Sequence, residues 1–137
     1  MASVRSCWAK DVMASVDRRA VELSSCKLGG VVVTMARERS GGAFGLSFCS
    51  LRDSHDRSIG QAIAFSRLKA FEGRELGRFI GFVPWELHGV GALLQAVSQL
   101  AESHPAFFEK RQDVLRDVAE RQAEFKLKTQ SKVVKQG

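Results

Sequence analysis

The chain has 137 residues, of which 45% are hydrophobic and 26% are charged. This composition is typical of one globular domain with a real core, and it excludes an intrinsically disordered chain. The net charge of +6 favours an anionic partner, such as nucleic acid, an anionic membrane surface or an acidic protein, although a basic charge also serves solubility alone. No window approaches the roughly 20 apolar residues of a membrane span, so we expect no membrane partner and no signal peptide.

Three cysteines, Cys7, Cys26 and Cys49, lie far apart in the chain. An odd number without CxxC spacing argues against a disulfide framework and against a structural zinc site, which needs four closely spaced ligands. The cysteines therefore indicate a reducing compartment, and we expect the protein to act in the cytoplasm.

The N-terminal third of the chain predicts a helix followed by a β-hairpin. Apolar residues recur at helical spacing over 8–24, and glycines mark a break within 26–30. Residues 31–39 are rich in β-branched side chains and predict a strand, 40–42 form a turn, and 44–49 alternate as a second strand.

The second strand of this hairpin has two different faces. Large apolar residues occupy one face, and small residues occupy the other, as the alternation Phe44, Gly45, Leu46, Ser47, Phe48, Cys49 shows. Small side chains allow another element to approach closely, and a packed helix is the simplest candidate.

A polar turn at 52–57 leads into a helix predicted over 59–71. Ser58 and Gln61 fit a capping box at its start. A third strand is predicted over 78–83, followed by a helix over 85–102.

The last helix is predicted to begin near Pro105, with Ser103 as a cap, and to run to about Lys126. The division is therefore one domain over 1–126 and a basic flexible tail over 127–137.

The order of elements is α-β-β-α-β-α-α. It predicts an α+β fold, in which an N-terminal helix, a β-hairpin, a helix, a third strand and two C-terminal helices build a thin, mainly antiparallel sheet with helices packed on it. Three strands make a thin sheet. Either a further strand lies around 74–76, or sheets pair across a dimer.

The turn before the helix at 59–71 is a candidate anion site. Arg52, His55 and Arg57 lie just before a helix N-terminus, whose free N–H groups attract phosphate. Asp53 and Asp56 lie in the same turn and could satisfy these groups locally, so a solvated capping loop is the alternative.

Catalytic motifs are absent from the sequence. The three histidines are far apart, and no zinc, nucleophile-elbow or phosphate-loop pattern occurs. We therefore expect a non-enzymatic protein without cofactor or metal. A small enzyme, the weaker alternative, would need a deep pocket that holds at least two of His55, Cys49, Asp53 and Asp56.

Basic and aromatic residues together favour nucleic-acid binding, with single strands preferred, because basic grooves follow the backbone and exposed aromatics stack on bases. The candidate contact residues are Arg52, Arg57, Arg67, Lys69, Arg74, Arg78, Trp85, Lys126 and Lys128. The alternative is a protein–protein interaction module, such as an inhibitor of a host protein or an assembly subunit, with an exposed apolar patch as its signature. A homodimer or higher oligomer is compatible with either function.

The segment at 44–70 resembles part of some small, uncharacterised tailed-phage proteins. In those proteins a hairpin strand ends in a short polar turn, and a helix of the type Ile-Gly-x-x-Ile-Ala-x-x-Arg-Leu follows. The matching residues are Ile59, Gly60, Ile63, Ala64, Arg67 and Leu68. The resemblance implies a phage accessory protein that acts on nucleic acid or on host machinery in the cytoplasm of the host cell.

Overall fold

The computed structural model describes residues 4–50, 57–71, 80–83 and 87–136. The helices in these ranges are α1 Val4–Ala14, α2 Arg57–Phe71, α3 Gly89–Ser103, α4 Pro105–Phe108 and α5 Gln112–Gln136. The strands are β1 Val21–Leu28, β2 Val31–Glu38, β3 Ala43–Ser50 and β4 Ile80–Phe82.

The four strands form one antiparallel sheet in the order β1-β2-β3-β4. The predicted α+β class is therefore confirmed, and so is the hairpin of β2 and β3. Its turn contains Gly42 at a φ of 78°, and the Gly42 N–H donates to the carbonyl of Glu38 at 3.0 Å. A positive φ is a conformation that glycine adopts without strain, so the glycine-rich turn lies where the sequence predicts it.

Helices cover both faces of the sheet, which gives the molecule three layers. On one face the large side chains of β3, Phe44 and Leu46, are fully buried against α3, α4 and α5. On the other face α2 packs against β3 so closely that a Cβ added to Gly45 would lie 2.6 Å from the backbone nitrogen of Leu68. The small residues of β3 are therefore covered by a helix, as expected.

The first helix is shorter than predicted, and β1 is the strand that the prediction lacked. The helix ends at Ala14, and residues 21–24, which the helical spacing assigns to it, are part of β1. The error arises because Val21 and Leu23 continue the helical spacing of Val12 and Val16, yet their separation of two also fits a strand. In the structure Val12, Val16 and Leu23 pack against a hydrophobic cluster that contains Val21, and α1 packs mainly against α2.

The C-terminal helices also begin and break at other residues than predicted. Helix α3 begins at Gly89, and residues 87–88 before it are not helical. The predicted last helix is two helices, since Pro105 begins the short α4 and a turn over 109–111 separates it from α5.

The helical backbone of α5 continues through Gln136, beyond the predicted end near Lys126. The division at residue 126 into a domain and a flexible tail stays a prediction. Within the described ranges, no helix is both long enough and apolar enough to cross a membrane.

Candidate nucleic-acid interface

Helix α2 positions three of the candidate contact residues. Arg57 is its first residue and is exposed. Lys69 is exposed in its last turn, with its ammonium nitrogen 5.6 Å from the centroid of the Phe65 ring, which is a cation–π distance. The structure therefore places Arg57 and Lys69 at opposite ends of one helix, where each could meet an anion separately.

Arg67 on the same helix is directed at the protein. Its Nη1 donates a hydrogen bond to the carbonyl oxygen of Leu46 in β3, and its side chain is half-buried. Burial lowers the pKa of Arg67, and the nearby Cys49 acts in the opposite direction to a smaller extent. An arginine that ties a helix to a strand has less of its guanidinium to offer to a phosphate than an exposed arginine has.

Four candidates lie outside the described residues, namely Arg52, Arg74, Arg78 and Trp85. The anion site proposed for the turn at 52–58 falls largely in the same gap, although Arg57 and Ser58 belong to α2. These residues stay predictions.

Most of the described phenylalanines belong to the core rather than to a stacking surface. Phe44 and Phe108 are fully buried, and Phe48 forms edge-to-face pairs with Phe107 and Phe108, with ring centroids 5.2 and 6.0 Å apart. Arg111 covers the ring of Phe107 at 4.1 Å. These rings are used for packing, which reduces the aromatic surface that could stack on bases.

Among the aromatic side chains that the structure describes, two are exposed to solvent. Phe82 on β4 is 53% exposed, and Trp8 on α1 is 41% exposed. In the register of the sheet Phe82 lies opposite Ala43, on the face that α2 covers. Phe82 is therefore the exposed sheet aromatic that base stacking would require.

A buried ionic cluster joins β1, β2 and the start of α3. Glu22 lies 3.4 Å from Arg37 and 3.8 Å from Arg39, and one of its oxygens accepts the N–H of Gly89 at 3.2 Å. Glu22 and Arg37 are almost completely buried, so each charge is stabilised mainly by its partners. The carboxylate occupies the N-terminus of α3, which is the position where an external anion would otherwise bind.

His88 joins this cluster from the residue before α3, and its side chain is exposed. Nη2 of Arg37 lies 3.3 Å from Nδ1 of His88. The same Nδ1 atom lies 3.8 Å from a carboxylate oxygen of Glu22, so the imidazole lies against both members of the buried ion pair. Sequence reasoning missed this cluster, because its members are up to 67 residues apart and none belongs to a short motif.

Helix α5 brings further cations to the edge of the sheet. Nη2 of Arg121 donates to the carbonyl of Lys27 in β1 at 3.2 Å, and both side chains are exposed. Near the start of the helix, Asp117 accepts the N–H of Gly29 at 2.7 Å. The two positively charged residues are 94 positions apart, so no local pattern indicates that they meet.

The candidates Lys126 and Lys128 lie on α5 beyond these contacts. Residues 125–136 contain four lysines and no acidic residue, whereas Asp113, Asp117, Glu120 and Glu124 all lie in the first half of the helix. The structure therefore gives this basic segment a helical backbone that is continuous with the part anchored on β1.

A metal centre has no ligand set in the described part of the chain, since no group of three or more histidine, cysteine, aspartate or glutamate residues is arranged to hold an ion. The three cysteines are free. Burial raises the pKa of Cys26, with Arg121 lowering it and Asp117 raising it to smaller extents.

Comparison of this chain with protein-family models, with curated proteins and with solved structures finds no match.

Proposed function

We propose that this protein is a non-enzymatic nucleic-acid-binding accessory protein that contacts the phosphate backbone, with single strands preferred. The observation that carries the proposal is the second half of α5, because residues 125–136 contain four lysines and no acidic residue and continue the helical backbone. Clustered cations on a regular element are the electrostatic footprint of a nucleic-acid-binding surface. The free cysteines agree with action in a reducing compartment such as the cytoplasm.

The preference for single strands depends on stacking and has narrower support than the phosphate contacts. Phe82 is exposed on the sheet, but Phe44, Phe48 and Phe108 are used in packing. Stacking on an aromatic side chain contributes about 1–3 kcal/mol per base. We therefore expect phosphate contacts to dominate the affinity, with Phe82 adding a modest preference for unpaired bases.

The test is binding of the purified protein to labelled single-stranded DNA, duplex DNA and RNA of equal length, measured by fluorescence anisotropy between about 50 and 200 mM salt. The expected result is an affinity that falls with salt on a slope of several charges. Phe82→Ala should weaken binding to single strands more than to duplex. No binding at the lowest salt would refute the function, and equal losses on both would refute the stacking contribution.

The alternative is a protein–protein interaction module. The observation that favours it is the set of large hydrophobic side chains at the surface, namely Trp8, Phe82 and Leu87. If nucleic acid does not bind, self-association is the first form of this function to test. Light scattering coupled to size-exclusion chromatography would then give the mass of the wild type and of Phe82→Asp. A dimeric wild type together with a monomeric variant would support the alternative.

A further inference from the structure

We infer that the body of the protein contacts a single-stranded nucleic acid through the outer surface of α1 and α2, the α1–α2 face. The inference rests on the proposed function and adds a second contact surface to the lysines of α5. Both helices lie on one side of the sheet, because α1 packs mainly against α2 and α2 packs against β3. Helices α3, α4 and α5 lie on the opposite side.

Charge is distributed unequally between the two sides. Helix α2 carries three cations and no acidic residue over its 15 residues. The α1–α2 face exposes Lys10, Arg57 and Lys69, and the exposed acidic residue in the described ranges of these two helices is Asp11. On the opposite side, residues 87–124 expose three cations and five acidic residues, namely Lys110, Arg116, Arg121, Glu102, Glu109, Asp113, Glu120 and Glu124. A polyanion is therefore attracted to the α1–α2 face and repelled by the first half of α5.

Residues that border the α1–α2 face add to its positive charge. Lys27 is exposed and stands on the same side of the sheet, because its row of cross-strand partners ends on the small-residue side of β3. The loop that joins α1 to β1 exposes Arg18 and Arg19. The acidic residues nearby are the half-buried Glu38 and Asp17, whose carboxylate accepts the N–H of Arg19 at 2.9 Å.

The two exposed aromatic side chains that the structure describes lie on this side as well. Trp8 is on α1, and Phe82 stands on the side of the sheet that α2 covers, opposite Ala43. Ala43 packs in one cluster with Phe65 of α2, and the ammonium group of Lys69 lies over the Phe65 ring. The exposed ring of Phe82 and the charge of Lys69 are therefore at the same end of α2.

Cations and exposed rings on one surface are the combination that binds single strands, since cations hold the phosphates and rings stack on unpaired bases. The bases of a duplex are stacked on each other, so a duplex could use the cations only. From Arg57 to Lys69, α2 rises about 18 Å, which corresponds to about five phosphates at a spacing of 3.4 Å. The occupant that fits this face is therefore a single strand of several nucleotides.

The experiment compares two double variants with the same change in charge. Lys10→Gln with Lys69→Gln removes two positive charges from the α1–α2 face, and Lys110→Gln with Arg116→Gln removes two from the opposite side. Binding to labelled single-stranded and duplex DNA of equal length is measured across a salt series. Loss of two phosphate contacts should lower the salt slope on single strands by about 1.4, which is about 25-fold in affinity at 0.1 M salt. We expect this loss in the first double variant only.

The stacking contribution is tested by Trp8→Ala, with Leu87→Ala as the control, because Leu87 is an exposed hydrophobic residue before α3. Loss of one stacked base should weaken binding to single strands by about 5- to 150-fold and leave duplex binding close to that of the wild type. Urea unfolding of each variant checks that the fold is retained. Ultraviolet cross-linking of the wild type to oligothymidylate, followed by mass spectrometry of tryptic peptides, needs no variant and should give cross-links at Trp8 or Phe82.

The failure of the inference differs from the failure of the function. If the wild type binds and the two double variants bind with equal affinity, or if no cross-link falls in α1, α2 or β4, the contact surface lies elsewhere and the function stands. Equal losses of single-strand and duplex binding in Trp8→Ala would overturn stacking on Trp8. If the wild type binds no nucleic acid at the lowest salt, the function is refuted, and the inference with it.

Discussion

The contact between β3 and α2 can be tested by adding one carbon atom. In Gly45→Ala, the new Cβ would overlap the carbonyl oxygen of Ala64 and lie 2.6 Å from the nitrogen of Leu68 and 3.0 Å from Cβ of Arg67. The two nearest atoms belong to the backbone of a helix, which moves as a unit. The substitution must therefore push α2 away from the sheet, because no flexible side chain can give way.

The expected cost is at the upper end of the range for overpacking, about 2–3 kcal/mol of unfolding free energy. For a chain of this size, about 4 °C per kcal/mol gives a fall in Tm of about 8–12 °C. The measurement is urea unfolding and thermal melting followed by circular dichroism. Displacement of α2 should also weaken the hydrogen bond from Arg67 to Leu46, so the loss should exceed that of Arg67→Ala alone.

Gly91→Ala is the matched control, since it adds the same atom at a helical glycine with no heavy atom within 4 Å. Alanine is favoured over glycine inside a helix by about 0.5–1 kcal/mol, so this variant should be more stable than wild type. The two substitutions are therefore expected to have opposite signs. A Gly45→Ala protein within about 0.5 kcal/mol of wild type would refute the close packing of α2 on β3.

Three further substitutions test contacts between elements of the fold and the burial of Cys26. Gly29→Ala should lower the free energy of unfolding by more than about 1 kcal/mol, because Gly29 has a φ of 53° and its new Cβ would lie 2.5 Å from the nitrogen of Val114. An unchanged midpoint of urea unfolding would contradict the close contact between α5 and the turn at Gly29. Glu22→Gln should cost about 3 kcal/mol by leaving the buried charge of Arg37 without its carboxylate, whereas a surface pair would cost less than about 1 kcal/mol. Burial raises the pKa of Cys26 above 9.0, so the folded state holds the thiol proton more tightly than the unfolded state does. The free energy of unfolding should therefore fall as the pH rises above about 9, and it should fall less in Cys26→Ala. Equal pH profiles of unfolding for the two proteins would show that folding does not protect the thiol.

Local patterns predicted those parts of the fold in which one signal dominates. The hairpin of β2 and β3 follows from a glycine-rich turn between two alternating or β-branched segments, and the small residues at Gly45 and Ser47 indicated a covering helix. Strand β1 was missed because Val21 and Leu23 satisfy two periodicities at once, and only pairing with β2 decides between them. Tertiary contacts overrode a local helical pattern.

Residues of the candidate site were harder to predict, because a cation in a sequence carries no sign of what it contacts. An arginine such as Arg67 is of the residue type that binds phosphate, but in the fold its guanidinium donates a hydrogen bond to the carbonyl oxygen of Leu46. Lys27 was not selected, and its neighbour Arg121 is distant in sequence. Lys126 and Lys128 could be selected from sequence because their charge is not balanced by acids in the same segment.

The position of β1 also bears on self-association. A sheet of three strands suggested pairing across a dimer, but β1 supplies a fourth strand, so that reason no longer applies. Lysine on an edge strand and a side chain bonded to an edge carbonyl both disfavour the addition of another strand. The lysine is Lys27, and the side chain bonded to its carbonyl is that of Arg121. A polyanion along the same edge would neutralise these cations, so the features that oppose a second copy are those that favour a nucleic-acid backbone.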